Sequence, residues 1–193
     1  MSMEPGKSLA GIGTLLLVIG SFVPFLGIVG FILMMIGLYY LANYYKDKSI
    51  FNNALYAIIF GIVGIAAVGF ILIALFFGGS LLGITYGGSA GITGNLLGFF
   101  GGIIIALVVA FIFYILMAFY FRKTLNTLAD KSGVGMFRTA GTLLFFGAIL
   151  TIILVGLVLI FIAWIMATVA FFSMPSTSSA PQAPPAPPVT QQV

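Results

Sequence analysis

The sequence predicts an all-α protein, a polytopic transmembrane helical bundle of about six spans in three hairpins. Three observations predict it. Of the 193 residues, 62% are hydrophobic and only 5% are charged, where a soluble domain carries about 25% charged residues. So little charge cannot wet a globular surface, and a bilayer is the solvent that removes the need. The apolar residues also come in unbroken runs long enough to cross hydrocarbon. Finally, every charged residue lies outside those runs.

The first run covers residues 9–45. One helix of that length would measure about 55 Å, against a hydrocarbon core of about 30 Å. A break near Pro24 and Gly27 resolves the excess, because Pro removes a backbone donor and Gly permits a turn. Span 1 is expected at 8–23 and span 2 at 27–45, with span 1 short for a full crossing. Lys7 followed by an apolar run also has the look of a signal peptide. No A-x-A-like cleavage site follows and further apolar runs do, so an uncleaved span is expected. Span 3, ALYAIIFGIVGIAAVGFILIALFFG at 54–78, is uncharged and long enough to cross with some tilt. Residues 79–95, rich in Gly, Ser and Thr, read as a loop. Span 4 follows at 96–121.

Residues 122–133, RKTLNTLADKSG, are the most polar stretch before the tail. Leu125 and Leu128, three apart, would keep one helical face on the membrane surface. The run at 139–172 is again too long for one crossing. A break near Gly156 gives span 5 at 139–154 and span 6 at 156–173. Residues 1–174 thus form the helical domain. Residues 175–193 hold six Pro and no charge, which predicts a disordered, partly polyproline II cytoplasmic tail. The PxxP spacing of Pro181 and Pro184 has no basic flank and reads as solvated tail.

With six spans, Lys7, Lys46, Lys48, Arg122, Lys123, Lys131 and Arg138 all fall on one side, as do Glu4, Asp47 and Asp130. The positive-inside rule places that side and both termini in the cytoplasm of a cell membrane protein. The basic residues are spread over four places and make no nucleic-acid stripe. With no Cys and no His, disulfides, thiolate nucleophiles, the usual zinc sites and His or Cys haem ligation are excluded. No nucleophile and base can be assembled in the usual way. The sequence therefore assigns no catalytic, cofactor-binding or metal-ligating residue, and no enzyme is expected. No Asp, Glu, Lys or Arg lies within a span, which argues against a proton-coupled transporter or voltage sensor.

Gly94, Gly98 and Gly102 form tandem G-x3-G spacing, suited to close packing within the chain or to an oligomer contact. Residues 84–88, ITYGG, have the wrong order for a potassium filter and no flanking pore helix. Tyr39, Tyr40, Tyr44 and Tyr45, with Tyr114 and Tyr120, fit an interfacial aromatic belt. Trp164, mid-span, reads as packing.

DKS occurs twice, at 47–49 and 130–132, each time four residues after an Asn (Asn43, Asn126). Phe51 and Ala54 then match Phe137 and Ala140, and Phe60-Gly61 match Phe146-Gly147. One reading is a duplicated hairpin, spans 2–3 repeated as spans 4–5, a parallel internal repeat. The other is convergence on what cytoplasmic helix ends require: caps, and groups that stay wet beside an anionic leaflet. Asp47 and Asp130 would then mark the membrane edge rather than a catalytic pair.

KSLAGIGTLLL at the start, KDKSIFNNAL at 46–55, GMFRTAGTLL at 135–144 and VAFFSMP at 169–175 resemble the domain of unknown function 996 family, over about 7–175. That resemblance implies an uncharacterised, mostly archaeal, multi-span membrane protein, and carries over no functional residue. Taken together, the residues point to a non-enzymatic structural or accessory membrane component. Its expected partners are the lipid bilayer and a second copy or another membrane protein, not nucleic acid. The alternative is a small channel or transporter for a neutral or weakly charged solute, which would need a polar path lined by Thr14, Ser21, Thr151 or Thr168.

Overall fold

The computed structural model describes residues 3–85 and 92–175, with side-chain surroundings given outside Pro24 and residues 74–99. The described chain is helical, without strands: α1 (Glu4–Gly20), α2 (Pro24–Tyr44), α3 (Ser49–Thr85), α4 (Ile92–Ser132), α5 (Met136–Leu150) and α6 (Val155–Phe172). A 3-10 turn, Thr151–Ile153, precedes α6. Much of this sequence is Val, Ile and Phe, which favour strands in water. In hydrocarbon a helix satisfies every backbone group within its own segment, and that requirement overrides propensity.

The breaks have local causes. Pro24 opens α2 with its fixed φ and missing donor at the first helical position, after an extended Val23. Asp47 accepts the Ser49 amide at 2.9 Å, a side-chain turn that starts α3. Gly133 closes α4 at φ +73, with its N–H on the Ala129 carbonyl at 3.0 Å. Between α5 and α6 the chain reverses through the 3-10 turn and Leu154, a left-handed residue at φ 62.

Each helix packs on its neighbours in sequence, and α1 also packs on α6, which closes the ring. The core lies toward the charged end. Phe121, Phe137, Phe171, Leu41, Ile50 and Leu128 are fully buried there. Phe137 meets Phe171 edge-on at 4.8 Å between ring centroids, and Phe121 meets Trp164 at 5.7 Å. The helices differ greatly in length. α1, α2, α5 and α6 have 17, 21, 15 and 18 residues, while α3 and α4 have 37 and 41. At 1.5 Å per residue the long pair reaches about 55–60 Å. Only 11% of the apolar stretch of α3 or α4 is buried, against 33% in α2, α5 and α6. The α3–α4 hairpin is therefore an arm that leaves the bundle.

Among the described residues five helical segments, α5 taken together with its 3-10 turn, are long and apolar enough to cross a membrane; the 17-residue α1 falls just short of that length. The expected break near Pro24 is present. The break expected near Gly156 lies at 151–154, because Gly156 is used for close contact with the Gly147 carbonyl. Residues 79–95 were expected to be a loop, but α3 runs on to Thr85 and α4 begins at Ile92. Gly, Ser and Thr are weak helix formers in water, where solvent competes for the backbone; an apolar setting removes that competitor. Residues 86–91 lie outside the described residues, as does the tail from 176 on. The polar stretch 122–133 is also corrected. α4 continues straight through it, and Leu125 and Leu128 enter the core instead of resting on a membrane surface.

Candidate functional site

The charged end of the bundle gathers the groups able to recognise anything polar. Its scaffold is the tops of all six helices. Lys7 on α1 donates to the Met174 carbonyl just beyond α6 at 2.7 Å, tying the two ends of the helical domain. The Tyr45 hydroxyl reaches the Met3 sulfur at 3.4 Å.

The two DKS stretches meet here. Lys131 of the second pairs with Asp47 of the first at 3.2 Å. Asp130 pairs instead with Arg138 on α5, an exposed bridge. Each carboxylate thus faces a cation, not the other carboxylate. Hydrogen bonds from the Ser49 side chain and amide, and then Lys131, hold the Asp47 carboxyl below the usual carboxylate range. The two stretches differ in local structure: Asp47 lies in the α2–α3 connection, whereas Asp130 lies within the last turn of α4. Asn43 is exposed, while Asn126 points a buried Oδ1 with no hydrogen-bond partner.

Arg122 lies over the Phe145 ring, 5.3 Å from its centroid, a contact that neutralises none of its charge but shelters its stem. Lys46, Lys48 and Lys123 are exposed. The tyrosines band the same end: Tyr39 against Tyr40 and Phe51, Tyr44 against Tyr45, and Tyr56 against Tyr120 at 5.5 Å. Tyr114 lies deeper, its hydroxyl beside the Thr151 side chain. Trp164 packs on Phe121, beside Tyr120 and Arg122, so it is nearer the charged end than a mid-span position suggests.

The hydroxyls expected to line a polar path are spent on their own helices. Thr14 donates to the carbonyls of Ala10 and Gly11 at 3.0 Å, Thr151 to Gly147 at 2.8 Å, and Thr168 to Trp164 at 2.9 Å. Ser21 reaches the Leu17 carbonyl at 3.5 Å. A groove of about 600 Å³ lies on the α3–α4 arm, lined by apolar side chains such as Ile65, Val68, Leu107 and Met117.

Two features were missed in the sequence. One is the Asp47–Lys131 contact, for which no local signal exists. The other is a glycine ladder between α1 and α2. A Cβ on Gly6 would lie 3.0 Å from Tyr40 Cβ, one on Gly13 would lie 2.6 Å from the Gly30 carbonyl oxygen, and one on Gly37 would lie 2.7 Å from Ala10 Cα. Gly20 meets Gly27 in the same way. The seven-residue spacing of Gly6, Gly13 and Gly20 was a readable signal for this seam. The tandem at Gly94 and Gly98 lies outside the residues whose surroundings are described.

No solved structure matches the chain. It is 27% identical over 176 residues to the uncharacterized protein MJ1644 of Methanocaldococcus jannaschii, covering 91% of this chain and 94% of that one. The model of the family described as proteins of unknown function, DUF996, matches residues 26–165. That match takes in α2 through most of α6, including both DKS stretches and the contact between them, and the chain belongs to the DUF996 family.

Proposed function

We propose that the protein is a non-enzymatic structural or accessory component of the cell membrane, with its charged end and both termini on the cytoplasmic side. The observation that carries this reading is where the polar groups go. Thr14, Thr151 and Thr168 satisfy the backbone of their own helices, and the acidic groups Asp47 and Asp130 are taken up in ion pairs. What is left for an outside partner at that end of the apolar bundle is mostly basic: Lys46, Lys48 and Lys123, with Arg122 over the Phe145 ring and the exposed Glu4. Such a face suits anionic lipid headgroups, each nearby Lys or Arg contributing about 1 kcal/mol. It equally suits an acidic segment of a membrane-protein partner or of a second copy.

The test is purification of the full chain in mild detergent, with identification of the lipids and proteins that stay bound, beside solute flux in proteoliposomes. Anionic lipid or a defined protein partner should copurify, and flux should equal that of empty vesicles. Saturable flux of a neutral solute would overturn the reading in favour of a transporter.

A further inference from the structure

We infer that the α1–α2 and α5–α6 hairpins enter the membrane from the charged side, turn within the hydrocarbon and return, so that only the α3–α4 arm crosses to the far side. The inference deepens the proposed membrane embedding and rests on it, but not on the accessory role.

Depth is the first argument. Thr151, at the α5–α6 turn, is level with Tyr114 of α4, its side chain beside the Tyr114 hydroxyl. Tyr114 lies about 9 Å along α4 from Tyr120 in the tyrosine band, at 1.5 Å per residue. From Tyr114 α4 runs back, uncharged, to its first residue, Ile92, a further length of about 33 Å. Together these lengths exceed a hydrocarbon core of about 30 Å, so the arm is long enough to cross from the tyrosine band to the far side. That lower stretch exposes its side chains: Ile104, Ile105 and Leu107 on α4, and Ile65, Phe70 and Ile73 on α3, are each more than half exposed. A membrane that ended at the α5–α6 turn would leave all of them in water. The other turn is no deeper than a short hairpin allows. Lys7 to Phe22 spans about 22 Å of α1, and Phe22 packs on Phe161, well inside α6, at 6.3 Å.

The chemistry of the turns is the second argument. Phe22, Phe25, Ile152, Ile153 and Leu154 are among the exposed side chains there, from 63% to 79% accessible. Neither turn contains a charged residue. Leu154 holds a left-handed φ of 62, a position that Gly or Asn fills when the surroundings are water. At the charged end the left-handed residues are Lys46 and Gly133.

The third argument is the backbone, which hydrocarbon does not forgive. Several backbone groups of both turns are bonded within the turns themselves. The amides of Ser21, Phe22 and Val23 bond back to Val18 and Ile19, that of Leu26 bonds to Val23, and Pro24 has none to satisfy. Leu154 donates to Thr151 and Leu157 to Leu154, each at 3.1 Å. The hydroxyls of Ser21 and Thr151 cap carbonyls of the turn before them. The apolar groove on the arm runs along α4 from Met117 to Leu107, past the level of the α5–α6 turn.

The chain has no cysteine, so single cysteines report cleanly. Phe22→Cys, Ile153→Cys, Gly83→Cys and Ser132→Cys variants of the full chain would be reconstituted in sealed phosphatidylcholine–phosphatidylglycerol vesicles. Each would be treated with a membrane-impermeant maleimide from one side and then the other. Ser132→Cys should label from the charged side and Gly83→Cys from the far side. Phe22→Cys and Ile153→Cys should label from neither until detergent dissolves the bilayer. Labelling of both turn cysteines from the far side, alongside Gly83→Cys, would overturn the inference and leave the accessory role untouched. The unsubstituted chain gives a second reading through its single tryptophan. Trp164 emission should be quenched more by lipids carrying the spin label at carbon 5 than at carbon 12. The opposite order would place Trp164 at the bilayer centre and sink the inference.

Discussion

Gly13→Ala is the sharpest test of how the bundle is held. Gly13 is buried on α1, and its missing side chain is what lets α2 approach. An added Cβ would lie 2.6 Å from the Gly30 carbonyl oxygen and 2.7 Å from Met34 Cα, and it would intrude on the Met34 amide as well. Ordinary contact begins near 3.4 Å, so the helices must part. A gap of about 1 Å forfeits a quarter to a half of each dispersion contact along the seam. The neighbours it meets are backbone, which cannot swing aside as a side chain would. Overpacking of this kind costs about 1–3 kcal/mol, and the better helix propensity of Ala returns up to about 1 kcal/mol. The expected net loss is about 1–2 kcal/mol, a 5- to 30-fold fall in the folded-to-unfolded ratio. Unfolding in mixed micelles, titrated with a denaturing detergent and followed by helical circular dichroism, measures it. Gly69→Ala is the control, since open space surrounds that position on α3; it should be neutral or stabilising. If the two substitutions shift the midpoint equally, the seam is not set by glycine and the reasoning fails.

Three further outcomes are expected. In a double-mutant cycle, Asp47→Asn with Lys131→Gln should show coupling of no more than about 1 kcal/mol, as exposed pairs do. The folded Asp47 carboxyl sits below its ordinary value, so its contribution is complete above about pH 4 and is lost as pH falls through the lower folded value. An acid titration of stability should therefore separate wild type from Asp47→Asn at neutral pH and merge them in acid. Asn126→Leu removes a buried oxygen that has no partner and should leave stability unchanged or raise it by about 1 kcal/mol, since leaving such a group unsatisfied costs about 1–3 kcal/mol; a clear loss would mean that the oxygen is bonded in the membrane. Truncation after Pro175 retains the Met174 carbonyl that holds Lys7, and the shortened protein should keep its helical signal and melting temperature in detergent; loss of the folded form would refute the reading of the tail.

Composition and run length made the helical class and most helix positions legible, because a bilayer allows so few solutions for the backbone. Pro24 announced its turn by chemistry that holds in any solvent. The arm was less legible. Residues 79–95 carry the Gly, Ser and Thr that mark loops in water, and the rule behind that reading assumes water. Leu125 and Leu128 were read as a surface stripe because three-residue spacing tells which face is apolar, not what covers it. The glycine ladder lay within reach, since Gly6, Gly13 and Gly20 recur at seven. The Asp47–Lys131 pair did not, because a contact between connections 84 residues apart in sequence leaves no local trace.

That pair also bears on the repeated tripeptide. A parallel repeat about an axis along the membrane normal would make contacts between the copies reciprocal: if Asp47 meets Lys131, then Asp130 should meet Lys48. Lys48 is exposed, and Asp130 is taken by Arg138. The helices that would correspond also differ in length, α2 against α4 and α3 against α5. Asp47 starts a helix from outside it, and Asp130 sits inside the end of one. What the two stretches share is a requirement. Each must end a long apolar helix where the chain leaves hydrocarbon, and each must pair its carboxylate so that the charge stays beside the bundle. With two such connections packed at one end, cation and carboxylate from different copies meet because both are held there, and the bridge fastens the base of the arm to the top of α2.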